Sequence, residues 1–214
     1  MISTRDLTLL PTVDELRSLL QSLAMLDAVI SPEWVNRYYS FDARWSRHEQ
    51  MGSMRNGSGD GFFALFNQAG CFLKGFAHES PMSPQRLRPP QVWPGVLESV
   101  PPEFSACLAE PAFSLDQTTF CLWRRQPEPA WQHGAIEFPA GDDPDGSAGL
   151  LHLLTGDPRD YAAWAGEYYE QDVPLAVVEH VYRHQPLTND AVRSLNRRLT
   201  LGDLTDVMRD IGYP

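Results

Sequence analysis

The sequence predicts an α+β fold: a mainly antiparallel sheet built on hairpins at 62–77 and 118–138, packed by helices, with a helical carboxy-terminal part. Three observations predict it. Residues 62–66 are apolar on both faces, and 71–77 return from them across Asn67-Gln68-Ala69-Gly70. Residues 118–125 and 131–138 repeat that arrangement across Gln126-Pro127-Glu128-Pro129-Ala130. Beyond Pro139 the chain reads as helices with capping residues at their starts and glycines at their ends. A chain of 214 residues can bury a sizeable core, so one domain is expected, with the sheet in 1–140 and helices in 147–214.

Taken in order, Thr12 and Glu15 form a capping box just after Pro11. Leu16, Leu19, Leu20, Leu23 and Leu26 recur at helical spacing, which predicts a helix over 13–28 with one apolar face. Ser31-Pro32 restarts the chain as an N-cap followed by proline at the first helical position. Trp34, Tyr38, Tyr39, Phe41 and Trp45 then read as a short helix and an extended segment packed on the core. In the first hairpin the strand at 62–66 belongs at a central or doubly covered position, and Gly70 is free to take positive φ. The returning strand places Phe72, Lys74 and Phe76 on one face and Cys71, Leu73 and Gly75 on the other.

Proline is dense from Pro81 to Pro102, so a long surface connection is expected there, with one helical turn near Val96. A short helix follows at 102–109. After the acidic loop at 141–146, five helices are expected over 147–154, 158–169, 174–184, 189–199 and 203–211. Asp157-Pro158, Thr188 and Thr200 with Asp203 start them, and Gly156 and Gly212 stop them. The ending Ile211-Gly212-Tyr213-Pro214 has the pattern of a completed chain.

Composition narrows the function classes. Hydrophobic residues make up 43% and charged residues 21%, as in a folded soluble protein. The net charge of -11 argues against a nucleic-acid partner, because phosphate binding needs Lys and Arg to displace counterions. An acidic surface serves solubility, or steers a basic partner. Cys71, Cys107 and Cys121 are isolated and show no CxxC spacing, which fits reduced, buried thiols. The amino terminus has no apolar core of signal-peptide length, and no run approaches the ~20 apolar residues that span a bilayer. A cytoplasmic protein without a membrane partner is expected. The sequence leaves its oligomeric state open.

Each chemical candidate has a plain structural alternative. The glycines of Asn56-Gly57-Ser58-Gly59-Asp60-Gly61 precede a strand, whereas a phosphate-binding loop opens a helix, and their spacing is GxGxG. They read as a tight turn into a strand. His78-Glu79-Ser80 leaves the second strand, where His and Glu can move protons but more often pin a strand end. His180 and His184 stand four apart on one expected helix, a zinc-compatible spacing without the HExxH order or a third ligand. Asp142 to Asp145 resembles half of a calcium loop, with Gly141 and His152 where the pattern wants acids. Arg193, Arg197 and Arg198 read as a salt-bridged, solvated helix face. One constellation keeps its interest: Arg55, Asp60, Lys74, His78 and Glu79 with Trp45 and Trp93, in or beside the first hairpin. Charged groups beside large aromatics are what a recognition patch uses.

With these segments laid out, the pattern resembles the SUKH superfamily, which includes bacterial immunity proteins and a fungal cell-wall-synthesis regulator. The matching features are the amino-terminal amphipathic helix, Gly57 to Gly61 with Asp60 before the strand, Gly70 in the turn, and the exit at His78-Glu79. Asp145-Gly146-Ser147 leading into Leu150-Leu151 resembles that superfamily's closing helix. The phrases MRNGSGD, KGFAHES and VWPGV also look like a family of uncharacterised bacterial cytoplasmic proteins. The resemblance implies an antiparallel sheet packed by helices and a binding role toward a toxin or another protein. It implies no catalytic residue, and the residues themselves lead to the expectation of no metal and no cofactor.

The leading expectation is therefore a non-catalytic protein-binding module, an immunity protein whose acidic face meets a basic toxin domain. The alternative is a small-ligand binder or enzyme with a cleft at Arg55, Asp60, His78 and Glu79.

Overall fold

The computed structural model describes residues 1–214. The capping box forms as read: Glu15 Oε2 accepts the Thr12 backbone N–H at 2.9 Å, and the Thr12 hydroxyl accepts the Glu15 N–H at 3.4 Å. It starts α1 (Val13–Ile30), whose Leu16, Leu20, Leu23 and Leu26 are wholly buried. Thr12→Ala is expected to cost about 1 kcal/mol, read from the urea midpoint of unfolding.

One sheet holds β1 (Tyr39–Ser46), β2 (Glu49–Arg55), β3 (Gly61–Asn67), β4 (Gly70–Phe76) and β5 (Phe120–Arg125), antiparallel and in chain order. As the two-faced apolar run required, β3 is the central strand. Phe62, Ala64 and Phe66 enter the larger core cluster, while Leu65 and Phe63 face the smaller one. Gly70 closes the β3–β4 turn at φ +145°, where a Cβ would stand 2.0 Å from the Arg124 carbonyl oxygen.

Helices cover one face only. α1 lies on β1 and β2 and α6 (Thr205–Ile211) on β1, while α4 (Leu175–Tyr182) and α5 (Asn189–Leu195) pack on α1, α3 (Pro158–Tyr168) packs on α4, and α2 (Ser147–Leu151) joins the same core. Asp157, Thr188 and the Thr200/Asp203 pair cap starts as expected, the last capping a 3₁₀ turn, Leu201–Leu204, that leads into α6. The other face is covered by the proline-rich connection and by short 3₁₀ turns at Pro102–Phe104, Cys107–Ala109 and Pro111–Phe113. Met82, Val96, Phe104, Cys107 and Phe113 press there on Leu65, Phe72, Cys121 and Trp123. The connection at 81–102 is thus a packed layer, and its chain turns at Val96, whose N–H donates to the Trp93 carbonyl.

Several expectations change. The second hairpin keeps its first strand, β5, but its return at 131–138 is reduced to one bridge in which Trp123 and Gln132 exchange hydrogen bonds of 2.9 and 2.8 Å. The chain then leaves the ladder because Gly134 packs against the carbonyls of Gly95 and Glu98. The extended segment after Tyr38 is a full strand, and β2, unread in the sequence, pairs with it. The helix at 102–109 is two 3₁₀ turns. The helix at 189–199 stops at Leu195, which leaves Arg197 and Arg198 in the following turn. No helix is long and apolar enough to cross a membrane.

Candidate functional site at the rim of the sheet

Antiparallel register decides which candidate residues meet. Tyr39 pairs with Met54, Arg55 with Gly61, and Gly61 with Phe76. Tyr38, Arg55, Asp60, His78 and Glu79 therefore share one end of the sheet.

At that end Asp60 and His78 come together. Asp60 Oδ1 accepts both the His78 backbone N–H and its Nδ1–H at 2.7 Å, and Oδ2 accepts the Asn56 amide at 2.9 Å. Burial alone would raise the Asp60 pKa, but these hydrogen bonds outweigh it and hold the carboxyl below its ordinary value. Asn56 Oδ1 accepts the N–H groups of Ser58 and Asp60, so the glycine-rich segment is a side-chain-braced turn from β2 to β3. With Nδ1 held by a carboxylate, His78 presents Nε2 outward. Glu79 Oε1 lies 3.9 Å from that nitrogen on a side chain 87% exposed.

Arg55 turns away from this pair. Its Nε–H donates to the Arg37 carbonyl at 3.3 Å, Nη2 donates to the Trp34 carbonyl, and the guanidinium lies 3.7 Å over the Trp34 ring. Trp34 was expected to pack on the core. It is instead 60% exposed, and its neighbour Val35 is 70% exposed. Pro32 and the one-turn helix Trp34–Asn36 lift both residues off the body, and the arginine stacks on the indole. Tyr38 continues the surface inward, with Tyr168 at 5.1 Å and Trp164 at 4.5 Å from its ring. Tyr161, Trp164 and Tyr168 recur at helical spacing, which gives α3 an aromatic face.

The other candidates lie elsewhere. Lys74 is buried in the second layer, with Nζ donating to the Gln117 carbonyl at 2.8 Å beneath the Phe63 ring. Desolvation lowers its pKa to about 8, opposed in part by Asp116. Trp45 sits by the β1–β2 turn at the opposite end of the sheet, and Trp93 donates its indole N–H to the Glu137 carbonyl at 3.1 Å. Both pack on the smaller cluster. None of the three main cavities is lined by Arg55, Asp60, His78 or Glu79.

The weaker motifs resolve into structural roles. His180 Nε2 meets the Pro186 carbonyl at 2.9 Å, and His184, beyond the end of α4, meets the Ser18 carbonyl at 2.7 Å. Asp143 takes the N–H groups of Ala148 and Gly149 at the start of α2, and Asp145 is buried against Ser147. Arg193, Arg197 and Arg198 make no ion pair, against the salt-bridged face expected of them. No three His, Cys, Asp or Glu side chains gather as a metal site would require.

Behind the rim lies a group that the sequence reading missed. Asp27, fully buried on α1, accepts the Tyr39 N–H and the Tyr161 hydroxyl, each at 2.6 Å. Burial raises its pKa to about 6, against the opposing hydrogen bonds from Tyr161, Tyr39 and Tyr169. It ties the start of β1 to α1 and α3, and so fixes the base on which Tyr38 and Trp34 stand. An acid among the leucines of an amphipathic helix was the available signal.

No family model, curated protein or solved structure matches the chain.

Proposed function

We propose that this chain is a non-catalytic protein-binding module that takes a basic protein domain against the rim formed by Trp34, Val35, Arg55 and Tyr168, with the buried Tyr38 ring supporting it from beneath. The observation that carries this reading is the exposed indole of Trp34, fixed beneath the Arg55 guanidinium and flanked by exposed Val35. Binding hot spots are rich in Trp, Tyr and Arg, and an indole already held in place loses little entropy on docking. The net charge of -11 supplies long-range attraction for a basic partner. A cytoplasmic immunity role against a toxin domain is the biological form of this reading, and it rests on the SUKH-like segments. Asp60 and Asn56 brace the turn beside the rim, so the acid–base pair Asp60–His78 reads as support for the surface.

The test is parallel capture from the source cell with wild-type chain, Trp34→Ala and Val35→Glu as baits. The expected result is a basic protein held stoichiometrically by wild type, released by salt, and reduced at least tenfold by Trp34→Ala, the scale of a hot-spot loss. A tightly retained small ligand in place of a protein, or a protein held equally by all three baits, would contradict the reading.

A further inference from the structure

An open cleft of about 1200 Å³ shares no residue with the rim. The amino-terminal strap at 7–12, the first turns of α1, the chain at 129–131 and α4 enclose it. Leu9, Leu10, Leu19 and Trp131 supply its apolar surface, and Leu9 is 54% exposed. The indole N–H of Trp131 donates to the Pro11 carbonyl at 2.6 Å, so this wall is fixed before any ligand arrives.

The charged groups of the cleft differ in their commitments. Glu179 is paired with Arg183 at 3.0 Å. Glu15 is close enough to feel Arg124, but its Oε2 already accepts the Thr12 N–H and hydroxyl at 2.9 and 2.7 Å. Arg124 donates only Nε–H, to the Glu128 carbonyl at 2.9 Å, and has no ion pair. Its two terminal nitrogens remain available in the plane that suits a carboxylate. Tyr182 also lines the cleft, and its hydroxyl is buried without a partner.

We propose that this cleft binds a small amphipathic carboxylate, with its head on Arg124 and its apolar body along Leu9 and Trp131. A concave site that sets an apolar wall beside a few oriented polar groups is a usual form of a small-molecule site, and the cleft joins such a wall to one uncommitted cation. The inference is independent of the rim: a protein partner there leaves the cleft open.

Calorimetric titration of the full chain with decanoate, decylammonium and acetate, below micelle-forming concentrations, tests it. Decanoate is expected to saturate one site and acetate to give no signal. Decylammonium should bind about tenfold more weakly, the worth of one charge-assisted hydrogen bond. Arg124→Gln is expected to weaken decanoate about tenfold and erase the preference over decylammonium. Leu9→Asp, at an exposed position, should weaken decanoate while leaving the circular dichroism spectrum unchanged. No decanoate binding, equal binding of the two head groups, or unchanged affinity in both variants would overturn the proposal.

Discussion

Asp27→Ala is expected to destabilise the fold by about 3–5 kcal/mol, because it strands a buried backbone N–H and a buried hydroxyl that each cost about 1–3 kcal/mol when unpaired. Those groups are the Tyr39 N–H and the Tyr161 hydroxyl. Asp27→Asn should be much milder. Its carbonyl can keep the Tyr39 N–H, and its amide can donate to the Tyr161 oxygen once that hydroxyl rotates. The two variants also separate charge from hydrogen bonding through pH. The Asp27 pKa is about 6 in the fold and near 3.9 in an unfolded chain. Between about pH 4 and pH 6 the native state therefore holds a proton that the unfolded state has lost. Its contribution to stability falls as pH rises through that window, by about 3 kcal/mol in all, and is flat above it. Urea unfolding of wild type and Asp27→Asn from pH 7.5 down to pH 4.5 checks this. The wild type should gain on the variant as the medium is acidified; a constant difference would contradict the assignment.

Gly95→Ala is expected to cost at least about 3 kcal/mol, combining left-handed strain with a backbone collision. Gly95 sits at φ +89°, and a Cβ there would stand 2.1 Å from the Ala135 carbonyl oxygen. Neither side can yield easily, because Gly134 brings its own backbone against the Gly95 carbonyl. This is the seam between the proline-rich layer and the chain that peels away from β5. Gly57→Ala is the control. It has φ +77° but open space around the Cβ position, so it should show strain alone, about 1–2 kcal/mol. Thermal unfolding should separate the two, at roughly 2–4 °C per kcal/mol for a chain of this size. Equal shifts would mean that the second layer is loose.

These two sites also mark the limits of the sequence. The α+β class, the capping box, the central position of β3 and the carboxy-terminal helix starts were legible, because each rests on local signals: apolar period, turn residues, capping side chains. β2 was not. Met51-Gly52-Ser53-Met54 has no β-branched or aromatic residue, and Gly52 is there because Leu20 of α1 packs onto it, with Leu20 Cδ1 2.8 Å from where a Cβ would be. The return at 131–138 looks like a strand in composition, but the close pairing of Gly134 with Gly95, 39 positions earlier, draws it off the ladder. In the candidate site, Asp60 and His78 are 18 positions apart and meet because the β3–β4 register is set by the Gly70 turn. Lys74, Trp45 and Trp93 shared sequence neighbourhood with them but not position. Trp34 illustrates the opposite failure: an aromatic in an apolar-looking stretch was read as core, whereas Pro32 and a single 3₁₀ turn set it on the surface.

We propose the Trp34–Arg55 rim as the surface on which a protein partner docks. Hydrogen–deuterium exchange of the chain, alone and with the captured basic partner, tests it most directly. Protection on binding is expected over 33–38, 55–60 and 164–169, with β4, β5 and the cleft at 7–12 unchanged. Protection centred on another face, or none at a saturating partner concentration, would contradict it.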